Sequence, residues 1–215
     1  MAPPKVDPSA LDRQLLASYD EAWAWGAARA GSWLTCCLGC TDCCIGLFEI
    51  SGADAWRLRK ALSLLVQQHP DQAQQVWARA RAQWAMVRSS FPGDLQSGAL
   101  AGDEAARQEF FARFAQLPCP LLEPSTGGCS LYQARPLACR SYGLPARLGA
   151  SELPPCPRNF RNAPSEVVAA STVAFDPDDV ESQLLQALGW PPDTIVAAAL
   201  VLPFWEDAER EVVWE

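Results

Sequence analysis

Apolar residues recur every three or four positions near the start of the chain, which is the spacing of an amphipathic helix. Leu11, Leu15, Tyr19 and Trp23 mark one face of this stretch. The pattern predicts a helix over residues 9–33, and this helix leads directly into the first cysteines.

Three more helices are predicted before the middle of the chain. Ser51 with Asp54 three residues later resembles a capping box, and the apolar spacing that follows continues to His69, next to a proline. The single histidine is therefore expected at a helix C-terminus, where it interacts well with the helix dipole. Similar patterns predict helices over residues 71–88 and 103–117.

The second half of the chain begins with a long stretch that has no helical period. Residues 118–164 are rich in proline, glycine and cysteine, so their backbone is expected to be irregular and held by something other than repetition. A strand is predicted over 167–175, a helix over 177–188, and an apolar helix from Asp193. The expected fold class is mainly α, a helical domain with irregular cysteine-rich metal-binding loops and at most short strands.

Composition indicates a folded globular protein with one core. The 215 residues include 49% hydrophobic and 20% charged residues, an ordinary balance for a domain of this size. We predict an N-terminal helix over 1–32, a cysteine-cluster metal-binding domain with a helical insertion over 33–165, and an acidic extension over 166–215 packed on the same core.

No secretion signal opens the chain, and the longest nearly apolar run, residues 194–204, has about half the length needed to cross a bilayer. A cytoplasmic protein without a membrane anchor is expected. The formal net charge is −8, and residues 166–215 hold eleven acidic residues against Arg210 alone. Without a basic stripe there is no footprint for nucleic acid, and the acidic face, including the run from Glu206 to Glu211, is expected to be solvated.

Nine cysteines are the most informative part of the composition. A reducing cytoplasm gives such a chain no reason to carry them for disulfides, and a disulfide scaffold belongs to short secreted domains that cannot build a core. The cysteines therefore point to metal binding by thiolates.

The first cysteine group has the most specific spacing in the sequence. Cys37, Cys40 and Cys43 follow the pattern C-x2-C-x2-C, and Cys44 is adjacent. Bacterial ferredoxins use this spacing for three ligands of a cubane cluster, whereas zinc sites more often take a two-cysteine knuckle from each of two segments. The spacing favours an iron–sulfur cluster over zinc. Cys36 is an alternative to Cys37, and either Cys43 or Cys44 is available for a second site.

The later cysteines, Cys119, Cys129, Cys139 and Cys156, have no knuckle spacing among themselves and need the first group as partners. The loop around Cys139 is the first choice for the fourth ligand. If all the later cysteines are ligands, eight thiols complete two four-cysteine sites. Cys119, between two prolines, is equally well explained as a small buried hydrophobe.

Arg135 and Arg140 flank Cys139. Cationic N–H donors beside thiolates lower the thiol pKa and offset the negative charge of a four-thiolate site, so both arginines are predicted to lie beside the cofactor. The alternative is an arginine stem packed in a turn with its head in water.

The cysteine motif resembles the YkgJ-type cysteine-cluster proteins, also described as the CxxCxxCC zinc- or iron-chelating domain family. The similarity is carried by four segments over roughly residues 33–160: 37–44, 48–58, 119–122 and 128–140. Cys156 matches the family's closing cysteine loosely. The departures are the extra Cys36 and an insertion-like pair of helices between the two halves of the motif.

The resemblance implies metal chelation and leaves the reaction open. A related motif occurs in flagellin lysine N-methylases with a 4Fe-4S cluster, which favours iron, but this chain has no glycine-rich motif for a methyl donor. The first hypothesis is a 4Fe-4S protein with a redox or enzyme-accessory role and a protein redox partner. The alternatives are a zinc-stapled, non-catalytic interaction module and a metal-handling protein. Catalytic residues and oligomeric state are left open.

Overall fold

Helices make up most of the regular structure in the computed structural model, which describes residues 7–37, 39–148 and 151–203. The helices within these ranges are α1 Pro8–Ala30, α2 Gly52–Gln68, α3 Pro70–Val87, α4 Glu104–Arg113, α5 Leu137–Ser141, α6 Ser165–Ala170, α7 Val180–Ala187 and α8 Val196–Val201. The strands are β1 Glu49–Ile50, β2 Ala146–Leu148, β3 Ser151–Leu153, β4 Val173–Ala174 and β5 Thr194–Ile195. The mainly helical class with short strands is confirmed.

The predicted helix starts are confirmed by their capping bonds. The Ser51 side chain accepts a hydrogen bond from the Asp54 backbone N–H at 3.3 Å, and the Asp103 carboxylate accepts one from the Ala106 N–H at 2.8 Å. His69 ends α2, as expected from its position next to a proline. These ends are set by contacts within four residues, which is why the sequence pattern reveals them.

The prediction of a strand over residues 167–175 is wrong for most of that stretch. Helix α6 occupies Ser165–Ala170, and only Val173–Ala174 is extended. Two adjacent valines favoured a strand, but Pro164 precedes the helix with a compatible backbone, and the Ser171 hydroxyl donates back to a helix carbonyl.

The helix predicted from Asp193 begins later than expected. Residues Thr194–Ile195 first form strand β5, which pairs antiparallel with β1 so that Glu49 lies opposite Ile195. Helix α8 follows from Val196. The partner strand lies more than 140 positions earlier in the sequence, so local periodicity carries no sign of this pairing.

The described residues form two compact units. Unit 1 comprises the described residues up to Cys40 together with those of Leu137–Trp190, and unit 2 comprises Thr41–Pro136 and the described residues from Pro191 onward. The division into 1–32, 33–165 and 166–215 stays a prediction, and the acidic run from Glu206 to Glu211 lies outside the described residues.

Unit 1 is organised around α1, which packs against α5, α6, α7 and β4. Its sheet has the order β3-β2-β4, with β2 antiparallel to β3 and parallel to β4. Tyr19 on α1 stacks on Phe175 at 4.8 Å between ring centroids. Gly26 allows the close approach of α1 to β4, because a Cβ there would lie 2.7 Å from Val173 Cγ1 and 2.8 Å from Leu144 Cδ1.

Unit 2 is a three-helix packing of α2, α3 and α8, with α4 on a second apolar cluster. Leu58, Val76 and Leu200 are central to the first cluster, and Cys119 and Cys129 pack against it. The irregular segment that carries these two cysteines is therefore supported by a helical core.

Glu49 on β1 is a half-buried carboxyl whose pKa is raised by burial and by a hydrogen bond with Asp193, although the Arg107 charge opposes the shift. A raised folded-state pKa gives stability below the ordinary pKa and loses it as the pH rises through the folded value. We therefore expect the free energy of unfolding of Glu49→Gln, taken relative to that of the wild type, to increase by less than about 1 kcal/mol between acidic and neutral pH. Urea unfolding of both proteins across that pH range measures this change. A relative unfolding free energy of the variant that decreases with rising pH contradicts the expectation.

No helix in the described ranges combines the length and apolar character needed to cross a membrane. The apolar helix α8 is only six residues long and lies within the core of unit 2.

Candidate metal centre

All nine cysteines lie in the described ranges, and none of them forms a disulfide there. The two units divide them. Unit 1 holds Cys36, Cys37, Cys40, Cys139 and Cys156, and unit 2 holds Cys43, Cys44, Cys119 and Cys129. The CxxCxxCC motif is thus split after its second cysteine, and the trio predicted from spacing has two members in one unit and one in the other.

Backbone pairing brings the second half of the motif to Cys119 within unit 2. The Cys119 N–H donates to the Cys44 carbonyl at 2.7 Å, and Ile45 forms an antiparallel bridge with Pro118. The Gly46 N–H donates to the carbonyl of Leu117 at 2.7 Å. These bonds form a short ladder that fixes Cys44 opposite Cys119, although about 75 positions separate them in the sequence.

A tight loop then pairs the segment that carries Cys129 with the segment that directly follows Cys119. Leu122 forms an antiparallel bridge with Cys129, and the Glu123 N–H donates to the Gly128 carbonyl at 2.8 Å. The Ser130 N–H donates to the Leu121 carbonyl at 2.8 Å. Together the two pairings hold the backbones of three cysteine-bearing segments side by side.

The thiols of Cys43 and Cys44 are hydrogen-bonded to each other, and this bond, reinforced by burial, raises the pKa of Cys43 well above its usual range. Burial raises the pKa of Cys119 to about 12, and the charges of Cys129 and Cys43 add to the shift. Four thiols therefore lie close enough to influence one another. A metal that binds them as thiolates must displace their protons.

Backbone donors are aimed at two of these sulfurs. The N–H groups of Leu121 and Leu122 donate to the Cys119 sulfur and oppose its raised pKa. The Leu131 N–H does the same at Cys129, whose pKa is raised mainly by burial. Such N–H groups stabilise the negative charge of a thiolate, which suits both residues to ligation.

Arg135 lies near Cys129, and its predicted place beside a cofactor stays a prediction. Its charge lowers the pKa of Cys129, while its guanidinium lies 4.1 Å from the Tyr132 ring centroid and donates to the Tyr132 carbonyl. Arg140 is buried in unit 1 and pairs with Asp20 at 2.6 Å. A contact of Arg140 with a cofactor stays a prediction.

Helix α3 supplies two positioning residues that sequence reasoning missed. Arg79 donates to the Pro120 carbonyl at 2.8 Å and to the Ser130 hydroxyl at 3.1 Å. Gln83, one turn later, donates to the Pro118 carbonyl at 2.7 Å. Together, Arg79 and Gln83 donate hydrogen bonds to the carbonyls of the two residues that flank Cys119 and to the residue after Cys129. Polar residues four apart on a helix are common, so no local signal singles them out.

A buried asparagine has a similar place in unit 1, and it too was missed. Asn159, only 5% exposed, donates from its amide to the Cys36 sulfur at 3.3 Å and to the Gly143 carbonyl at 2.8 Å. Its Oδ1 accepts from both the N–H and the hydroxyl of Thr35, each at 2.9 Å. Gly143 has φ +108°, and a Cβ there would lie 3.0 Å from the Cys36 sulfur.

The first half of the motif forms a turn. The Cys40 N–H donates to the Cys37 carbonyl at 3.1 Å, and Gly39 has φ +89°, a conformation that glycine adopts without strain. A two-cysteine turn of this kind is the knuckle that zinc sites commonly use.

The thiols are neighbours rather than a finished coordination shell. Among the described residues no group of three or more His, Cys, Asp or Glu side chains is arranged to hold a metal ion. The donors of unit 2 are thiol sulfurs, which suit a soft or borderline metal, and two of them receive backbone N–H bonds.

The comparison with known families agrees with this chemistry. A family described as "CxxCxxCC: Putative zinc- or iron-chelating domain" matches residues 36–156, which is more than half of the chain and includes all nine cysteines. No curated protein and no solved structure matches the chain significantly.

Proposed function

Since the chain belongs to the CxxCxxCC family of zinc- or iron-chelating domains, we propose that unit 2 binds metal through Cys43, Cys44, Cys119 and Cys129. The observation that carries this proposal is the backbone pairing that holds the segments of Cys43 and Cys44, of Cys119 and of Cys129 side by side. Four thiolates are a complete ligand set for either zinc or an iron–sulfur cluster.

We favour an iron–sulfur cluster, of the 4Fe-4S type, as the bound group. The C-x2-C-x2-C spacing supports it, and so does the apolar cluster beneath Cys119 and Cys129, because a dry surrounding tunes the potential of such a centre. When bound, the cluster would accept or donate single electrons. The chain would then act in a redox or enzyme-accessory role with a protein electron partner.

Zinc is the second candidate, supported by a specific observation. Cys37 and Cys40 form a knuckle-like turn in unit 1, while Cys43 belongs to unit 2. Knuckles from separate segments are typical of structural zinc, which stabilises irregular loops outright. In that case the chain would be an interaction module or a metal-handling protein without turnover.

The experiment that decides is anaerobic purification of the full chain followed by an absorbance spectrum and elemental analysis of the same sample. Iron and acid-labile sulfide in comparable amounts, with a broad thiolate-to-iron absorption, are the expected result. Zinc without colour selects the second candidate. A folded protein that holds no metal after reconstitution with either one contradicts the proposal.

A further inference from the structure

We propose that residues 204–215, which lie outside the described ranges, dock on a basic and aromatic face of helix α2 in the same chain. The face is formed by Trp56, Arg59 and Lys60. Its occupant is the acidic segment that follows helix α8. This docking requires no bound metal and is therefore independent of the proposed function.

The three side chains of the face are neighbours on the helix. Arg59 and Lys60 lie three and four residues after Trp56, the spacing at which helical side chains meet. The Lys60 ammonium lies 4.8 Å from the centroid of the half-buried Trp56 ring, and Lys60 is exposed. The face thus offers an aromatic surface and positive charge at the same place.

Helix α2, which is described over its whole length, adds no exposed negative charge to this face. Its one acidic residue is Asp54, which is only 3% exposed and pairs with Arg57 at 2.5 Å. The exposed charge of α2 is therefore basic, and a basic surface attracts an acidic segment.

The chain leaves helix α8 directly beside this face. The Arg59 guanidinium donates to the carbonyls of Ala199 and Leu202 at 3.0 and 2.8 Å. These bonds fix the end of α8 next to the helical turn that carries Trp56 and Lys60. The segment that begins at residue 204 therefore starts within a few residues of its proposed docking surface.

The segment has the complementary composition. Its acidic residues, opposed by Arg210 alone, are Glu206, Asp207, Glu209, Glu211 and Glu215. Its large apolar residues are Phe204, Trp205, Val212, Val213 and Trp214. Twelve residues reach at most about 40 Å when extended, which exceeds the roughly 26 Å length of α2. Charge alone predicts a solvated run, but the basic face beside its starting point favours docking.

The covalent connection makes weak contacts sufficient. An exposed ion pair contributes little by itself, and two separate molecules would lose translational and rotational freedom on binding. A segment tethered at Leu202 avoids most of that loss, because its effective concentration at the α2 face is high. A few charge pairs together with one aromatic contact can therefore hold it.

Carbodiimide cross-linking of the full chain tests the docking. The reagent joins a lysine amine to a carboxylate in contact with it, so that an amide forms and the carbodiimide takes up the water as a urea. The chain has only two lysines, Lys5 and Lys60. Mass spectrometry of the digested protein should show Lys60 joined to Glu206, Asp207 or Glu209 of the same chain.

The acylation rate of Lys60 with an N-hydroxysuccinimide ester, relative to that of Lys5, is a second readout. Neutralising the segment with Glu206→Gln, Asp207→Asn, Glu209→Gln and Glu211→Gln should raise this ratio about threefold or more, because several charge pairs are lost together. The matched control neutralises four exposed acidic residues of unit 1, Glu21→Gln, Glu152→Gln, Glu166→Gln and Asp178→Asn, and should leave the ratio unchanged.

A mixture of isotope-labelled and unlabelled chains identifies the occupant. Cross-links only between labelled and unlabelled chains would place the segment on a second copy and overturn docking within the chain. Absence of a Lys60 cross-link to residues 206–211, with equal acylation ratios in all variants, would overturn docking altogether. Neither readout involves metal, so these results leave the proposed function standing, and a failure to bind metal leaves the docking standing.

Discussion

Replacing Arg79 with methionine should weaken metal binding by unit 2 about ten- to a hundredfold, the usual effect of removing an outer-shell partner of a ligand. Arg79 holds the Pro120 carbonyl and the Ser130 hydroxyl, next to Cys119 and Cys129. Methionine keeps much of the stem's packing but offers no N–H donor. Zinc competition against a chelator, on protein that circular dichroism shows to be folded, measures the change.

Arg59 provides the matched control for this prediction. It lies in the same unit and donates to the carbonyls of Ala199 and Leu202 at 3.0 and 2.8 Å, so its loss also removes bonds from an arginine to the backbone. Arg59→Met should lower stability but leave the zinc affinity of the folded protein within about threefold. Equal losses of affinity in both variants would show that Arg79 supports the fold rather than the site.

Replacing Leu58 with alanine should lower the free energy of unfolding by about 2–5 kcal/mol. Leu58 is fully buried on α2 in the cluster against which Cys119 and Cys129 pack. The substitution removes apolar contact and leaves a cavity that helices α3 and α8 can fill only in part. Urea unfolding of the metal-free protein, followed by circular dichroism, gives the value.

Leu64, on the same helix but 50% exposed, is the control for this second prediction. Leu64→Ala should change stability by no more than about 0.5 kcal/mol. Saturating zinc should raise the unfolding midpoint of the Leu58 variant, because a ligand that binds only the folded state stabilises it by mass action. Similar losses in the two variants would contradict the assignment of this core.

Much of the helical framework was predictable because its signals are local. The Ser51 and Asp103 caps act within three residues, and the apolar spacing along α1 and α3 acts within one turn. The strand predicted over residues 167–175 was wrong because a helix start at Pro164 outweighs two β-branched residues. Local signals fail where two of them compete.

The candidate site was predictable in its chemistry and not in its geometry. Nine cysteines and the motif from Cys37 to Cys44 established thiolate chelation, and the matching family agrees. Spacing puts Cys37, Cys40 and Cys43 in one group, which stays a prediction, and the structure assigns Cys37 and Cys40 to unit 1 and Cys43 to unit 2. Residues that are close in sequence can belong to different units, and their spacing does not reveal which unit each will join.

By itself, then, the sequence determined the helical class, the helix starts and the metal-binding chemistry, since each depends on residue type and on neighbours within a turn. Only the tertiary structure decided which thiols become neighbours and what holds them. The Cys119 N–H donates to the Cys44 carbonyl, and Gln83 donates to a carbonyl 35 positions away. The Asn159 amide donates to the Cys36 sulfur, 123 positions away. Such contacts form because packing the helical cores brings distant segments together, and no local pattern records them.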